Sequence, residues 1–101
     1  MTEKHLISTE TVCTQYEIEY SFVQSLSNMG LIQIEIVERS QYIHQDQISD
    51  LEKMIRLHQE LKVNLEGIDV IFNLLEKEKE LRRELKYLKN RLSLYDDESA
   101  D

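Results

Sequence analysis

The 101-residue sequence contains no proline and only two glycines, Gly30 and Gly67. Proline and glycine are the residues that most often interrupt helices, so their scarcity predicts long helices with few irregular connections. The two glycines become the best candidates for helix ends or for close packing. The single cysteine, Cys13, excludes an internal disulfide, and the three histidines are too widely spaced to predict a metal site.

Motifs that would indicate catalysis are also missing. Neither glycine belongs to a glycine-rich phosphate loop, and Cys13 has no histidine close to it in the sequence. A polar cleft is difficult to build in so small a helical core. We therefore expect a protein that is not an enzyme and needs no cofactor or metal.

Targeting signals are absent as well. No apolar run approaches the roughly 20 residues that a membrane-spanning helix needs. The sequence begins M-T-E-K-H-L-I-S, which is not the basic segment followed by an apolar one that a signal peptide requires. Together with the lone cysteine, these features predict a cytoplasmic protein without membrane contact.

Positive charge is scarce in the first part of the chain. The net charge is −8, and residues 1–44 carry six acidic residues against Lys4 and Arg39. Residues 76–95 reverse this balance, with seven basic residues and four glutamates. An acidic protein is repelled by phosphates, so the composition disfavours nucleic acid as a partner. Residues 96–101, D-D-E-S-A-D, are expected to form an acidic, disordered tail.

Apolar periodicity predicts two short helices near the start, at about 9–15 and 19–29. Ser8 or Thr9 is suited to cap the first helix, and Val12 and Cys13 are expected to face inward. The second helix has an apolar stripe at intervals of three and four, formed by Phe22, Val23, Leu26 and Met29. Gly30 follows at the position where a left-handed conformation commonly ends a helix.

A two-stranded β wing is predicted at about 31–44. Ile32, Ile34 and Ile36 alternate with other residues, as in a strand. E-R-S-Q is the predicted turn, and Y-I-H is the predicted second strand. A hairpin is marginal alone, so its isoleucine face is expected to pack on the helices. The third helix is predicted at about 45–61. Its buried side is expected to consist of Ile48, Leu51, Ile55 (or Met54) and Leu61.

A long last helix is predicted from 65 to 95, capped by Asn64. An apolar stripe recurs at alternating steps of three and four, with Glu78 as its one interruption, and consists of Ile71, Leu74, Leu81, Leu85, Leu88, Leu92 and Tyr95. Such a heptad pattern is typical of a coiled coil. A domain of about 65 residues is too small to cover the stripe, so we expect these seven residues to form a homodimer.

The order of elements resembles that of MerR-like winged helix-turn-helix proteins: a head over 1–64 followed by a dimerising helix over 65–95. The junction residues Val63, Leu65, Gly67 and Ile68 resemble the segment that follows the wing in that family. The DNA-reading features differ. Ser27, Asn28 and Met29 stand near the place where the family usually has an arginine and tyrosine pair, and the wing has only Arg39. The resemblance thus implies the fold, whereas these differences from the family argue against DNA binding.

The chain resembles more narrowly the CbpM-type chaperone modulators, which are small MerR-like proteins. The similar segments are I-S-T-E-T-V-C at 7–13, G-L-I-Q-I-E at 30–35 and L-x-x-E-L-x-x-L-K-N-R-L-S at 81–93. This resemblance implies a non-catalytic inhibitor that binds the J-domain of a DnaJ/CbpA-type co-chaperone and restrains its cooperation with Hsp70 (DnaK). It also implies an antiparallel dimer.

Residues near the face that reads DNA in regulators are the candidates for J-domain contact: Glu17, Glu19, Tyr20, Glu35, Glu38, Asp46 and Asp50. Acidic side chains suit a basic partner surface, and tyrosine is enriched at interface hot spots. The alternative for each acidic residue is a solvated surface that keeps the protein soluble. Two other functions stay open, a MerR-family DNA-binding transcription regulator and a structural coiled-coil adaptor.

Overall fold

The computed structural model describes residues 5–99, with side chains as far as Tyr95. The elements in chain order are β1 (Leu6–Ser8), α1 (Thr9–Tyr16), α2 (Tyr20–Asn28), β2 (Ile34–Val37), β3 (Ser40–His44), a 3₁₀ turn (Gln45–Gln47), α3 (Ile48–Gln59) and α4 (Leu65–Ser99). The predicted class, mainly α with a small β wing, is confirmed. The chain divides into two compact units between Asp69 and Val70, so that α4 begins in the first unit, here called the head.

The first two helices, predicted at about 9–15 and 19–29, span Thr9–Tyr16 and Tyr20–Asn28. The Ser8 side chain caps α1, since its hydroxyl oxygen accepts a hydrogen bond of 3.1 Å from the Thr11 amide. At the end of α2, Gly30 has φ +78° and donates to the Ser27 carbonyl at 3.0 Å, while the Leu31 amide donates to the Leu26 carbonyl at 2.9 Å. This pair of bonds is a Schellman motif, which needs a left-handed residue and therefore favours glycine.

The head is built around a small apolar core to which most elements contribute. Its buried members are Val12, Phe22, Val23, Leu26, Ile32, Ile43, Leu51, Met54, Ile55 and Ile68. Three of them come from α2 and three from α3, so these two helices supply six of the ten buried apolar side chains. Cys13, which was expected to be buried beside Val12, is only half-buried.

The sheet has three strands where the sequence predicts two. β1 pairs antiparallel with β3, and the strand order is β1-β3-β2. A strand of three residues is shorter than the four to eight residues over which alternation becomes a signal, so β1 is not detectable by periodicity. The two-residue turn at Glu38 and Arg39 has positive φ at both positions, which matches the twist of a tight hairpin.

The prediction of a buried isoleucine face on the wing is wrong for part of β2. Ile32, just before the strand, is buried and Ile34 is half-buried, but the Ile36 side chain is 69% exposed. Ile36 pairs with Gln41 near the hairpin tip. Because the wing extends beyond the core at that point, burial fades along the strand.

The buried side of α3 is predicted correctly at Leu51, Met54 and Ile55, but not at Leu61. The helix ends at Gln59, and Lys62 turns the chain with φ +57°. Leu61 therefore lies outside the helix and is 65% exposed. The chain then enters α4, where the Asn64 side chain accepts a bond of 2.8 Å from the Gly67 amide, as a capping residue does.

In the second unit, α4 continues as a helix to Ser99, four residues beyond the predicted end at Tyr95. Ala100 and Asp101 of the predicted tail lie outside the described residues. Within one chain, Ile71 is half-buried and the other six members of the apolar stripe are exposed by 53% or more of their surface. Glu78, which interrupts the stripe, forms an ion pair of 3.2 Å with Arg82 one turn later.

Two leucines of the head allow a direct test of where its core lies. We expect Leu26→Ala to lower the free energy of unfolding by about 3 kcal/mol, because Leu26 is fully buried and its removal leaves a cavity. The same change at the exposed Leu61 should cost less than about 0.5 kcal/mol. Urea denaturation at one fixed protein concentration measures both. Equal losses of unfolding free energy in the two variants would contradict the assignment of Leu26 to the core and of Leu61 to the surface.

Candidate functional site

The second helix of a helix-turn-helix reads DNA in many regulators, and α2 has that position in this chain. Residues 20–28, Y-S-F-V-Q-S-L-S-N, contain no lysine or arginine. Phe22, Val23 and Leu26 are in the core, which leaves neutral polar side chains and Tyr20 for the exterior. This helix therefore offers no cation to a phosphate backbone.

Two of the predicted contact residues meet in one groove. The α1–α2 groove is lined by the turn between α1 and α2, with Glu17 and Glu19, and by the segment from the end of α3 to the start of α4. Glu17 has φ +53°, and its carbonyl accepts a bond of 3.4 Å from the Gln59 side chain. Both glutamate side chains are exposed.

The groove has aromatic and polar walls as well as the two glutamates. The ring of Phe22 stacks on the imidazole of His58, with centroids 4.5 Å apart and an interplanar angle of 22°. The Nδ1 atom of His58 lies 3.3 Å from the Val63 carbonyl oxygen, so it donates to this oxygen in the tautomer that carries the Nδ1 proton. Lys62 is the one lysine among the residues that line this groove. The chemistry is that of a binding surface with an acidic rim.

Two further predicted residues, Glu35 and Asp46, line a separate hollow on the wing. There, His44 Nδ1 lies 2.8 Å from the Asp46 carboxylate and 3.3 Å from the Asp46 amide. These contacts are alternatives, since an Nδ1 that carries a proton donates to the carboxylate, and an Nδ1 without one accepts from the amide. The carboxamide of Gln47 holds the backbone of Gln33 by bonds of 2.7 and 3.0 Å, which fixes this hollow.

Tyr20 lies in a third hollow, formed by α1, the start of α2 and the hairpin. Its hydroxyl donates to the side-chain oxygen of Gln41 and ties α2 to β3, while its ring stays 49% exposed. Cys13 and Arg39 line the same hollow, and partial burial raises the pKa of the Cys13 thiol. Tyr20 is thus both an exposed aromatic surface and a structural contact.

The seven predicted contact residues are therefore distributed over the head. Glu17 and Glu19 share one groove, Glu35 and Asp46 share another, and Tyr20 lines a third. Glu38, in the hairpin turn, and Asp50, in the first turn of α3, line none of these three hollows and are exposed.

Sequence reasoning missed two tertiary contacts near these surfaces. The Phe22–His58 stack joins residues that are far apart in the chain, and no sequence pattern predicts it. The Tyr16 hydroxyl donates to Glu52 at 2.8 Å. The bond to Glu52, helped by partial burial and by the charge of that carboxylate, raises the pKa of Tyr16. Among the described residues, no group of three or more acidic, histidine or cysteine side chains is arranged to hold a metal ion.

Comparisons with known proteins agree with this geometry. The chain is similar to the chaperone modulatory protein CbpM of Pseudomonas entomophila (strain L48), with 26% identity over 88% of this chain and 89% of that protein. No solved structure matches the chain. In the part of the chain that the structure describes, no helix is sufficiently long and apolar to cross a membrane.

The family model described as MerR HTH family regulatory protein matches residues 7–90. This range covers all the elements of the head after Leu6 and most of α4, so the match extends over both units. The predicted resemblance to a MerR-like, CbpM-type protein is confirmed. The chain belongs to the MerR helix-turn-helix regulatory protein family.

Proposed function

We propose that this protein is a cytoplasmic chaperone modulator that binds the J-domain of a DnaJ/CbpA-type co-chaperone and inhibits its cooperation with Hsp70 (DnaK). The observation that carries the proposal is the similarity to a chaperone modulatory protein along nearly the whole chain, including both the head and α4. Binding alone accounts for the activity, because a bound J-domain is withheld from Hsp70. No catalytic step is involved.

The charge of the head supports a protein partner over DNA. Specific and non-specific DNA binding both depend on lysine and arginine that neutralise phosphates. The second helix has none, and the whole chain carries a charge of −8. The same surface suits a basic protein partner, since complementary charge speeds encounter and disfavours wrong partners.

Within the head, we place the centre of the J-domain contact at the α1–α2 groove. A lysine or arginine of the partner can lay its aliphatic stem along the exposed ring of His58, which stacks on Phe22, and direct its charged end to Glu17 and Glu19. Tyr20 follows Glu19 directly and adds an exposed aromatic ring. The remaining acidic candidates, Glu35, Glu38, Asp46 and Asp50, contribute to long-range attraction.

A second candidate function is DNA binding as a MerR-type transcription regulator. The match to the family model favours it, because many helix-turn-helix proteins of this kind read DNA. In this chain, however, the only basic residue of the hairpin is Arg39, and α2 has none. We therefore rank this function second.

The homodimer belongs to the same proposal. An exposed stripe of leucines on a helix of 35 residues is stabilised when a second helix covers it. The charges of α4 favour an antiparallel partner. Residues 66–80 contain five acidic and two basic residues, and residues 82–91 contain five basic and one acidic. An antiparallel pair places these oppositely charged halves side by side, whereas a parallel pair places like against like.

Charge reversal in the α1–α2 groove tests the J-domain contact. We expect Glu17→Lys/Glu19→Lys to weaken J-domain binding at least tenfold in calorimetry, because two carboxylates that meet basic side chains become repulsive. The matched control, Glu76→Lys/Glu80→Lys, changes the net charge equally at exposed positions of α4 outside the groove and outside the apolar stripe, and should weaken binding less than about threefold. Equal losses for the two variants would remove Glu17 and Glu19 from the contact.

Partner capture separates the two candidate functions. Incubated with cytosol of its own organism, the protein should retain a J-domain protein identified by mass spectrometry, because J-domain binding is its proposed activity. In a mobility-shift assay at physiological salt, it should not retard promoter DNA, because α2 lacks cations. Retarded DNA with a steep salt dependence, and no captured J-domain protein, would instead support the regulator.

Replacement of two stripe leucines tests the dimer. Leu85→Asp/Leu88→Asp should give monomers by light scattering, because two buried carboxylates would face an apolar seam. The control Asn90→Asp/Ser93→Asp adds the same charge at exposed positions outside the stripe and should remain dimeric. A dimer that persists in the leucine variant would place the interface elsewhere.

A further inference from the structure

The strand β2 lies at one edge of the sheet. In the strand order β1-β3-β2 it pairs with β3, and no other strand of the described residues lies on its second side. Natural proteins commonly protect such an edge with a lysine, a proline, a bulge or a covering element. β2, I-E-I-V, contains no lysine or proline, and its four pairs with β3 are in unbroken register, which excludes a bulge. The Ile36 side chain on this strand is 69% exposed.

The alternation of backbone hydrogen bonds shows which groups of β2 face outward. The Gln45 amide donates to the His5 carbonyl at 2.8 Å, so Gln45 and, two residues earlier, Ile43 bond toward β1. Ile34 lies opposite Ile43, and its N–H and C=O groups therefore point away from β3. Ile36, two residues later, points the same way. We call the outward backbone groups of Ile34 and Ile36 the outer edge.

Side-chain hydrogen bonds hold the hairpin that carries the outer edge. The Gln47 carboxamide bonds to both backbone groups of Gln33, immediately before β2. On the other strand, the Tyr20 hydroxyl donates to Gln41, which lies opposite Ile36. A strand that binds here meets backbone groups that are already in place, which lowers the entropy cost of association.

The charge of β2 disfavours a second copy at the outer edge. Self-pairing that uses both isoleucines of each copy joins Ile34 to Ile36 of the other copy and places the two Glu35 side chains opposite each other. Like charges directly opposite destabilise a strand pair. Shifted alignments use only one of the two isoleucines, because they reach the buried Ile32 or Glu38, whose φ of +50° ends the strand.

We propose that the outer edge binds an extended segment of another protein as an added antiparallel strand, and that this segment has the pattern apolar, basic, apolar. Its two apolar residues bond to the backbone of Ile34 and Ile36, and their side chains cover the exposed Ile36 side chain. The basic residue between them lies opposite Glu35, where opposite charges stabilise the pair. Ile34 and Ile36 do not line the α1–α2 groove, so this second surface goes beyond the proposed function.

A short peptide measures this binding on the unaltered protein. Thr-Ile-Arg-Ile-Thr, with acetylated and amidated ends, should bind in an NMR titration with half-saturation below about 1 mM. At saturation, the amide hydrogens of Ile34 and Ile36 should exchange with solvent at least about fivefold more slowly, because they gain hydrogen bonds. Those of Glu35 and Val37, which already face β3, should change less than about twofold.

Exchange of the central charge tests the pattern of the segment. Thr-Ile-Glu-Ile-Thr should bind at least about fivefold more weakly than the arginine peptide, because its carboxylate faces Glu35. In the variant Glu35→Lys this preference should reverse. Equal binding of the two peptides to the unaltered protein would overturn the basic residue of the proposed segment.

A proline substitution tests the backbone contact. Ile36→Pro removes one outward N–H and keeps the bonds between β2 and β3, since an edge strand tolerates proline where the N–H faces solvent. It should weaken binding of the arginine peptide at least about tenfold and leave the circular dichroism spectrum unchanged. The matched control Ile36→Val keeps the N–H and a β-branched side chain, and should bind within about twofold of the unaltered protein. Equal binding by the two variants would overturn the added strand.

Further outcomes separate this inference from the proposed function. Equal slowing of exchange at all four residues of β2, or no saturation by the arginine peptide, overturns the added strand whether or not Ile36→Pro folds. Slowing at Ile34 and Ile36 that grows with protein concentration without peptide overturns it in favour of a second copy.

Calorimetry with the J-domain tests whether the two surfaces are separate. Ile36→Pro and Ile36→Val should have equal affinity for the J-domain, and a loss confined to Ile36→Pro overturns the separation. The proposed function is tested without the peptide, by J-domain binding to the unaltered protein and by its loss in Glu17→Lys/Glu19→Lys. Failure of either inference therefore leaves the other measurable.

Discussion

The buried face of α2 is the contact on which the rest of the head depends. Val23 and Leu26 are fully buried, Phe22 stacks on His58 from α3, and the Tyr20 hydroxyl holds the wing. A helix of nine residues that meets so many neighbours has little surface left for a ligand. What remains exposed is neutral, so the molecular surface available to a partner is dominated by the acidic residues on either side of α2. The core thereby determines where the acidic side chains lie on the surface of the head.

Periodicity and capping predict most of the helical structure, because they are local properties. The stripe of α2, the left-handed Gly30 and the Asn64 cap all occur as expected. The failures depend on tertiary contacts. β1 forms because it pairs with the edge of β3. Leu61 is exposed because the chain turns at Lys62, and Ile36 is exposed because the hairpin extends beyond the core.

The candidate site is predictable in composition but not in arrangement. Acidic residues can be counted from the sequence, yet only the fold brings Glu17 and Glu19 to one groove and assigns Glu35 and Asp46 to another. His58 belongs to the α1–α2 groove through its stack with Phe22, and these two residues share no sequence motif. For the proposed function, the charge of the head favours a basic protein partner, and the geometry favours the α1–α2 groove as its binding site.

The net charge of −8 is unevenly divided between the head, α4 and the last six residues. Residues 1–65 contain ten acidic and five basic residues, a net of −5, and residues 96–101 add four acidic residues. Residues 66–91 of α4 are nearly neutral, with a net of +1, but their two halves have opposite signs. In the antiparallel dimer that we propose, those halves neutralise each other. The charge of the head has no such complement in the proposed dimer, so it is available to the basic partner of the proposed function.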